Sequence, residues 1–149
     1  ALVDEVGGFD EDQLWCEDLD LFLRLAAASP VARLSEPLCF IRSHFVDDEH
    51  YSGDRVAESA YRAELFDKLS RRIADPRLRA ICRRRRAEQS LALARFKAER
   101  GDHRGAFRTL ASASAFSWSY PDWWWGALKT VGRPVVPEPA LRLYRQLRP

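Results

Sequence analysis

The sequence predicts a mainly α-helical chain, in which a leading part with one helix and two short strands precedes an all-helical extension. Three observations carry this. After residue 51 the chain is rich in Ala, Arg and Leu, with apolar residues at helical spacing. Between Pro30 and His44 the pattern changes to short extended runs broken by proline, "VARLSEPLCFIRSH". Charge is also divided: residues 1–70 carry 16 acidic and 6 basic side chains and residues 71–108 carry 13 basic and 4 acidic, under a net charge of only +2. The two parts therefore differ in electrostatic role, or neutralise each other across an interface.

In chain order, Gly7-Gly8-Phe9-Asp10 reads as a turn, because paired glycines accept backbone angles that other residues resist. A helix is expected from Glu17, with Leu21, Leu25 and Ala28 on one face, Phe22 beside them and Arg24 opposite. Its first turn holds Glu17, Asp18 and Asp20, and carboxylates there suit the helix dipole and the unsatisfied N–H groups. Three are more than that role needs. Pro30 closes the helix, and Val31 to Leu34 and Leu38 to Arg42 read as strands around Ser35-Glu36-Pro37. "FVDDEHYSGD" is a polar turn, its Asp47 to His50 a solvated acidic loop, and it sets a boundary between parts 1–50 and 51–149.

In the second part, Arg55 to Ala74 suits a helix ending before Asp75-Pro76, and Arg77 to Arg100 another ending at Gly101. Ala80, Ala87, Leu91, Ala94 and Ala98 form a stripe of mostly small residues that permits close helix packing. A helix over His103 to Phe116 brings in Ala106, Leu110 and Ala113, and Pro121 is placed to start another. Segments 87–100 and 103–116 together resemble a single tetratricopeptide-type unit.

At 46% hydrophobic and 11% aromatic, 149 residues suffice for one ordinary domain or two small units sharing a core, which excludes a disordered chain. The absence of methionine and the opening "ALVDEVGG" read as a piece of a longer protein. No apolar run reaches the roughly 18 residues needed to span a bilayer, so any membrane contact is expected to be peripheral. Cys16, Cys39 and Cys82 are odd in number and form no C-x-x-C pair, which fits reduced thiols in a cytoplasmic protein.

"VDEVGGFDED", then "CEDLDLFLRLA", then "LSEPLCFIRSH" resemble, in order and spacing, the acceptor-side part of family 2 glycosyltransferases with the GT-A fold. The resemblance covers roughly residues 1–44. It implies that the leading part is a fragment of an α/β GT-A fold and that the chemistry is inverting sugar transfer from a nucleotide-sugar donor to a hydroxyl acceptor. Such transfer needs a carboxylate to take the acceptor proton. The resemblance assigns that base to Asp18. Glu17 would position the acceptor or raise the basicity of Asp18 through like-charge proximity. Gly7, Gly8 and Trp15 would line the acceptor, against the alternative of a turn with no ligand. His44, in the Arg-x-His position, would contact a divalent metal (Mn or Mg) or the diphosphate, against a structural or solvated role. Asp20 is expected to be structural, with Arg24 as its partner or another acid's.

Nothing in the chain resembles the nucleotide-binding half of that family, and Asp18-Leu19-Asp20 belongs to the helix start. The donor site and its metal are thus expected in a missing N-terminal half, leaving this chain the base and acceptor wall and no activity alone. The basic stretch "RRIADPRLRAICRRRR" is expected to be a solvated helix face docked on the acidic part; an anionic membrane surface, as for a lipid-linked acceptor, is the second reading. No nucleic-acid motif accompanies it, so nucleic acid is not an expected partner. Trp123, Trp124 and Trp125 are consecutive and span about 200° of a helix, so they cannot all face one core. The alternative overall reading is a non-enzymatic helical interaction module.

Overall fold

The structure is a computed structural model that describes residues 1–13, 15–37 and 54–132. Among these residues it is helical without strands: α1 (Leu2–Glu5), α2 (Glu17–Ala28), α3 (Arg55–Arg72), α4 (Pro76–Glu99), α5 (His103–Ser117) and α6 (Pro121–Gly132). No helix among them is long and apolar enough to cross a membrane.

Three aspartates start the helices of the extension. Asp54 Oδ1 accepts the Val56 and Ala57 N–H groups at 3.0 and 3.3 Å, Asp75 Oδ1 those of Arg77 and Leu78 at 2.8 and 2.9 Å, and Asp102 Oδ1 that of Gly105 at 2.8 Å. Each satisfies donors that the first turn of a helix leaves without partners. Pro76 follows Asp75 at the first helical position, where its missing N–H costs nothing.

α4 is the spine, packing on α3, α5 and α6. Its N-terminal half contributes Cys82 to a cluster with Leu65 and Leu69 of α3, against which Cys16, Leu19 and Leu23 from the leading part pack. From its middle onward it contributes Ala87 and Ala94 to a second cluster with Ala106, Leu110 and Ala113 of α5 and Trp123 and Ala127 of α6. Small residues let the helices approach closely, and at Gly126 of α6 an added Cβ would strike the Leu91 side chain. Trp123 is the large residue of this cluster, and its Nε1 donates to the Ala87 carbonyl at 2.9 Å.

Several sequence expectations change. Val31 to Leu34 is exposed and forms no strand, since an extended segment becomes one only when another strand takes up its backbone groups. Leu38 to Arg42 lies outside the described residues. In α2, Leu21 is buried as expected, but Phe22 is 62% exposed, Ala28 is exposed, and Leu19 and Leu23 meet α3. Ala80 is exposed, so the α4 stripe runs from Ala87 onward. Of the three consecutive tryptophans Trp123 turns inward, while Trp124 and Trp125 are exposed, with Lys129 lying over the Trp125 ring.

Replacing Leu65 by Ala removes a fully buried side chain from the cluster joining α2, α3 and α4, and should cost about 2–5 kcal/mol of stability. Phe22→Ala, on the exposed face of α2, should stay within about 0.5 kcal/mol. Urea unfolding of the two variants checks the inward face of α2; equal losses would show that it is assigned wrongly.

Candidate functional site

Three carboxylates share one helical turn of α2, and the structure gives them different surroundings. Asp20 has no solvent exposure, whereas Glu17 and Asp18 are exposed. Arg24, one turn on, donates from Nε to Asp20 Oδ2 at 2.8 Å, from one terminal nitrogen to the Val6 carbonyl at 2.5 Å and from the other to the Gly8 carbonyl at 2.7 Å. Arg24 therefore points inward, not to the opposite side as its spacing suggested.

The carbonyls that Arg24 grips belong to the turn ending α1. Gly8 N–H donates to the Val3 carbonyl and Gly7 N–H to that of Asp4, a Schellman pattern, with φ of +65° at Gly8 and +85° at Gly7. A Cβ at either glycine would meet nothing within 4 Å, so backbone conformation and not crowding requires glycine there. The same open space leaves the outer face of the turn accessible.

Lys68 of α3 closes the cluster from the other side. Its Nζ lies 2.5 Å from Asp10 Oδ2, 3.0 Å from Gln13 Oε1 and 3.6 Å from Asp20 Oδ1, and Arg72 reaches Asp10 at 3.5 Å. The Lys68 hydrogen bond holds the Asp10 carboxyl below its ordinary 3.8, against the opposing effect of burial, and the charges of Lys68 and Arg72 act in the same direction as that bond. Asp10-Glu11-Asp12 also has Asp-x-Asp spacing, so Asp18-Leu19-Asp20 is not alone in that pattern. Asp10 is committed to α3, and its Oδ1 accepts the Asp12 N–H at 3.2 Å.

Trp15 stacks on Tyr61 of α3 with ring centroids 5.3 Å apart and planes 4° from parallel, so one aromatic face is covered. Cys16, just before the helix, has φ of +59°, a left-handed conformation uncommon for a residue with a side chain. Burial pushes its thiol above the ordinary 9.0, partly offset by a hydrogen bond and charge from Arg62, so it is a protonated packing group and not a nucleophile at neutral pH. Asp18 Oδ1 accepts the Leu19 N–H at 2.6 Å, which realises the helix-start role for this carboxylate.

Of the expected site residues, Gly7 and Gly8 lie in the turn that Arg24 holds, Trp15 stacks on Tyr61, and Glu17 and Asp18 are exposed at the start of α2. His44 lies outside the described residues. Among the described residues no group of three or more His, Cys, Asp or Glu could hold a metal ion. Four-residue spacing made Arg24 a candidate partner of Asp20 among other acids; Lys68 and Tyr61, far along the chain, carried no comparable signal. No family model, curated protein or solved structure matches the chain.

Replacing Arg24 by Ala should strand the buried Asp20 carboxylate and release the glycine turn, costing about 3–5 kcal/mol in chemical unfolding. A loss below about 1 kcal/mol would remove Asp20–Arg24 from the centre of this stretch. Asp10 also makes a pH prediction. Its folded value lies below its unfolded one, so its contribution is complete above 3.8 and lost as pH falls through the folded value. Thermal melts from about pH 6 down to about pH 2 should therefore show a shallower acid-side decline for Asp10→Asn than for the parent chain.

Proposed function

We propose that residues 1–44 form the acceptor side of an inverting family 2 glycosyltransferase, with Asp18 as the base. The observation that best supports this reading is the division within one helical turn: Asp20 is buried and paired with Arg24, which also holds the Gly8 carbonyl, while Glu17 and Asp18 remain exposed. A carboxylate held at a rigid helix start, open to solvent on one side, is suited to collect a proton from a bound hydroxyl.

In the proposed reaction the acceptor oxygen attacks the anomeric carbon of the donor sugar. The bond from that carbon to the nucleoside diphosphate breaks on the opposite face, and the acceptor proton passes to Asp18. Glu17 orients the acceptor or raises the basicity of its neighbour. The Gly7-Gly8 turn and Trp15 form the acceptor wall. The partners are a nucleotide-sugar donor and a glycan or lipid-linked acceptor, met at the cytoplasmic face of a membrane. Donor binding is assigned to a separate half of the enzyme. A divalent metal, Mn or Mg, belongs to the full-length enzyme, with His44 as the residue of this chain assigned to it.

In a polypeptide bearing both halves, Asp18→Asn should lower turnover by roughly 100-fold or more, because the amide cannot take the proton. Its melting temperature should barely move, as expected for an exposed side chain. Asp20→Asn should do the reverse in part, lowering the melting temperature through the buried pair. Retention of most turnover by Asp18→Asn, with transfer chemistry limiting the rate, would overturn the assignment.

A further inference from the structure

A groove of about 720 Å³ lies between α3, α4 and α5 and shares no residue with the carboxylate cluster. Its size falls within the roughly 300–1,000 Å³ typical of ligand sites. Most of its acids are already engaged. Asp67 on the α3 wall pairs with Arg71 and with Arg86, each at 2.5 Å, and Asp102 caps α5. Arg86 is further committed to the Phe116 ring, 3.8 Å away.

The remaining charge is mostly positive. Arg104 and Arg108, one turn apart on α5 and exposed, form no ion pair or hydrogen bond among the described residues. Lys97 of α4 donates to the Thr109 hydroxyl at 3.2 Å and has no carboxylate partner among them. The unengaged acid of the groove is Glu64, on the opposite α3 wall.

We propose that this groove binds an extended acidic peptide segment, with carboxylates at alternate positions pairing with Arg104 and Arg108. Residues four apart on a helix have Cβ atoms about 5–6 Å apart. Alternate residues of an extended chain lie on one side, about 6.6 Å apart, so the two spacings match. Guanidinium groups pair with carboxylates through two parallel hydrogen bonds. Lys97 adds positive charge to the same groove, and the partly buried Phe116 side chain borders it. Glu64 selects the ligand type: a peptide with acids on one edge turns its other edge to α3, whereas a nucleic acid carries charge throughout and meets repulsion. The inference is independent of the glycosyltransferase reading.

The test uses the full chain and a fluorescein-labelled peptide of alternating Glu and Ser, followed by anisotropy at about 0.15 M salt. Saturable binding is expected, with none for the Gln-Ser counterpart. The Arg104→Ala/Arg108→Ala pair should weaken it by about tenfold or more, and Glu64→Gln should tighten it. Alanine favours the helix, so α5 should persist, as circular dichroism will verify. Arg83→Ala/Arg84→Ala, on α4 outside the groove, should leave binding unchanged. No saturable binding, an equal loss from that control pair, or displacement by inorganic phosphate or single-stranded DNA as effective as by unlabelled peptide would each overturn the proposal.

Discussion

A carboxylate taken out of water is costly unless charged partners surround it, and the leading part is organised around such a group at Asp20. Arg24 meets that cost within α2, and Lys68 of α3 adds a second cation at 3.6 Å. Each cation does more than neutralise. Arg24 spends its remaining donors on the Val6 and Gly8 carbonyls, so the same guanidinium fixes the glycine turn against α2. Lys68 also holds Asp10 and Gln13, so the loop between turn and helix is fastened to the extension. Remove the buried carboxylate and the turn, the loop and the seat of α2 on α3 lose their common anchor.

This arrangement accounts for the crowding of acids at the start of α2. One carboxylate anchors, and its burial brings Leu19 and Leu23 onto Leu65 and Leu69. Asp18 takes a backbone N–H of the first turn and, like Glu17, stays at the surface. The apolar contact and the ion pairs reinforce each other, because the low dielectric of the packed cluster strengthens the bonds that Asp20 makes.

The opposed charges of the two parts meet through fewer residues than their totals imply. Between residues 1–70 and 71–108 they meet at Arg72–Asp10, Arg86–Asp67 and Arg100–Asp54, whereas Arg84 and Arg85 pair with Glu88 on their own helix. The arginine run of α4 is thus partly a solvated helix face and partly a brace between α3 and α4. The surplus that stays unpaired in the groove is on α5, at Arg104 and Arg108.

Much of the helical architecture was legible in the sequence because its determinants are local. Asp54, Asp75 and Asp102 cap helices through residues two or three positions away, and Ala87, Ala94, Ala106 and Ala113 follow one helical period. Paired glycines announced the turn, and the four-residue spacing made Asp20 one of the candidate partners of Arg24. Facing directions were less legible: Phe22 and Ala80 fit apolar stripes yet remain exposed, since a helix alone does not choose its partner. Tertiary structure alone decided which of three neighbouring carboxylates would be buried. That choice depends on Lys68 and Tyr61 arriving from α3 to bind Asp10 and cover Trp15, contacts across more than forty residues of chain that no local period encodes.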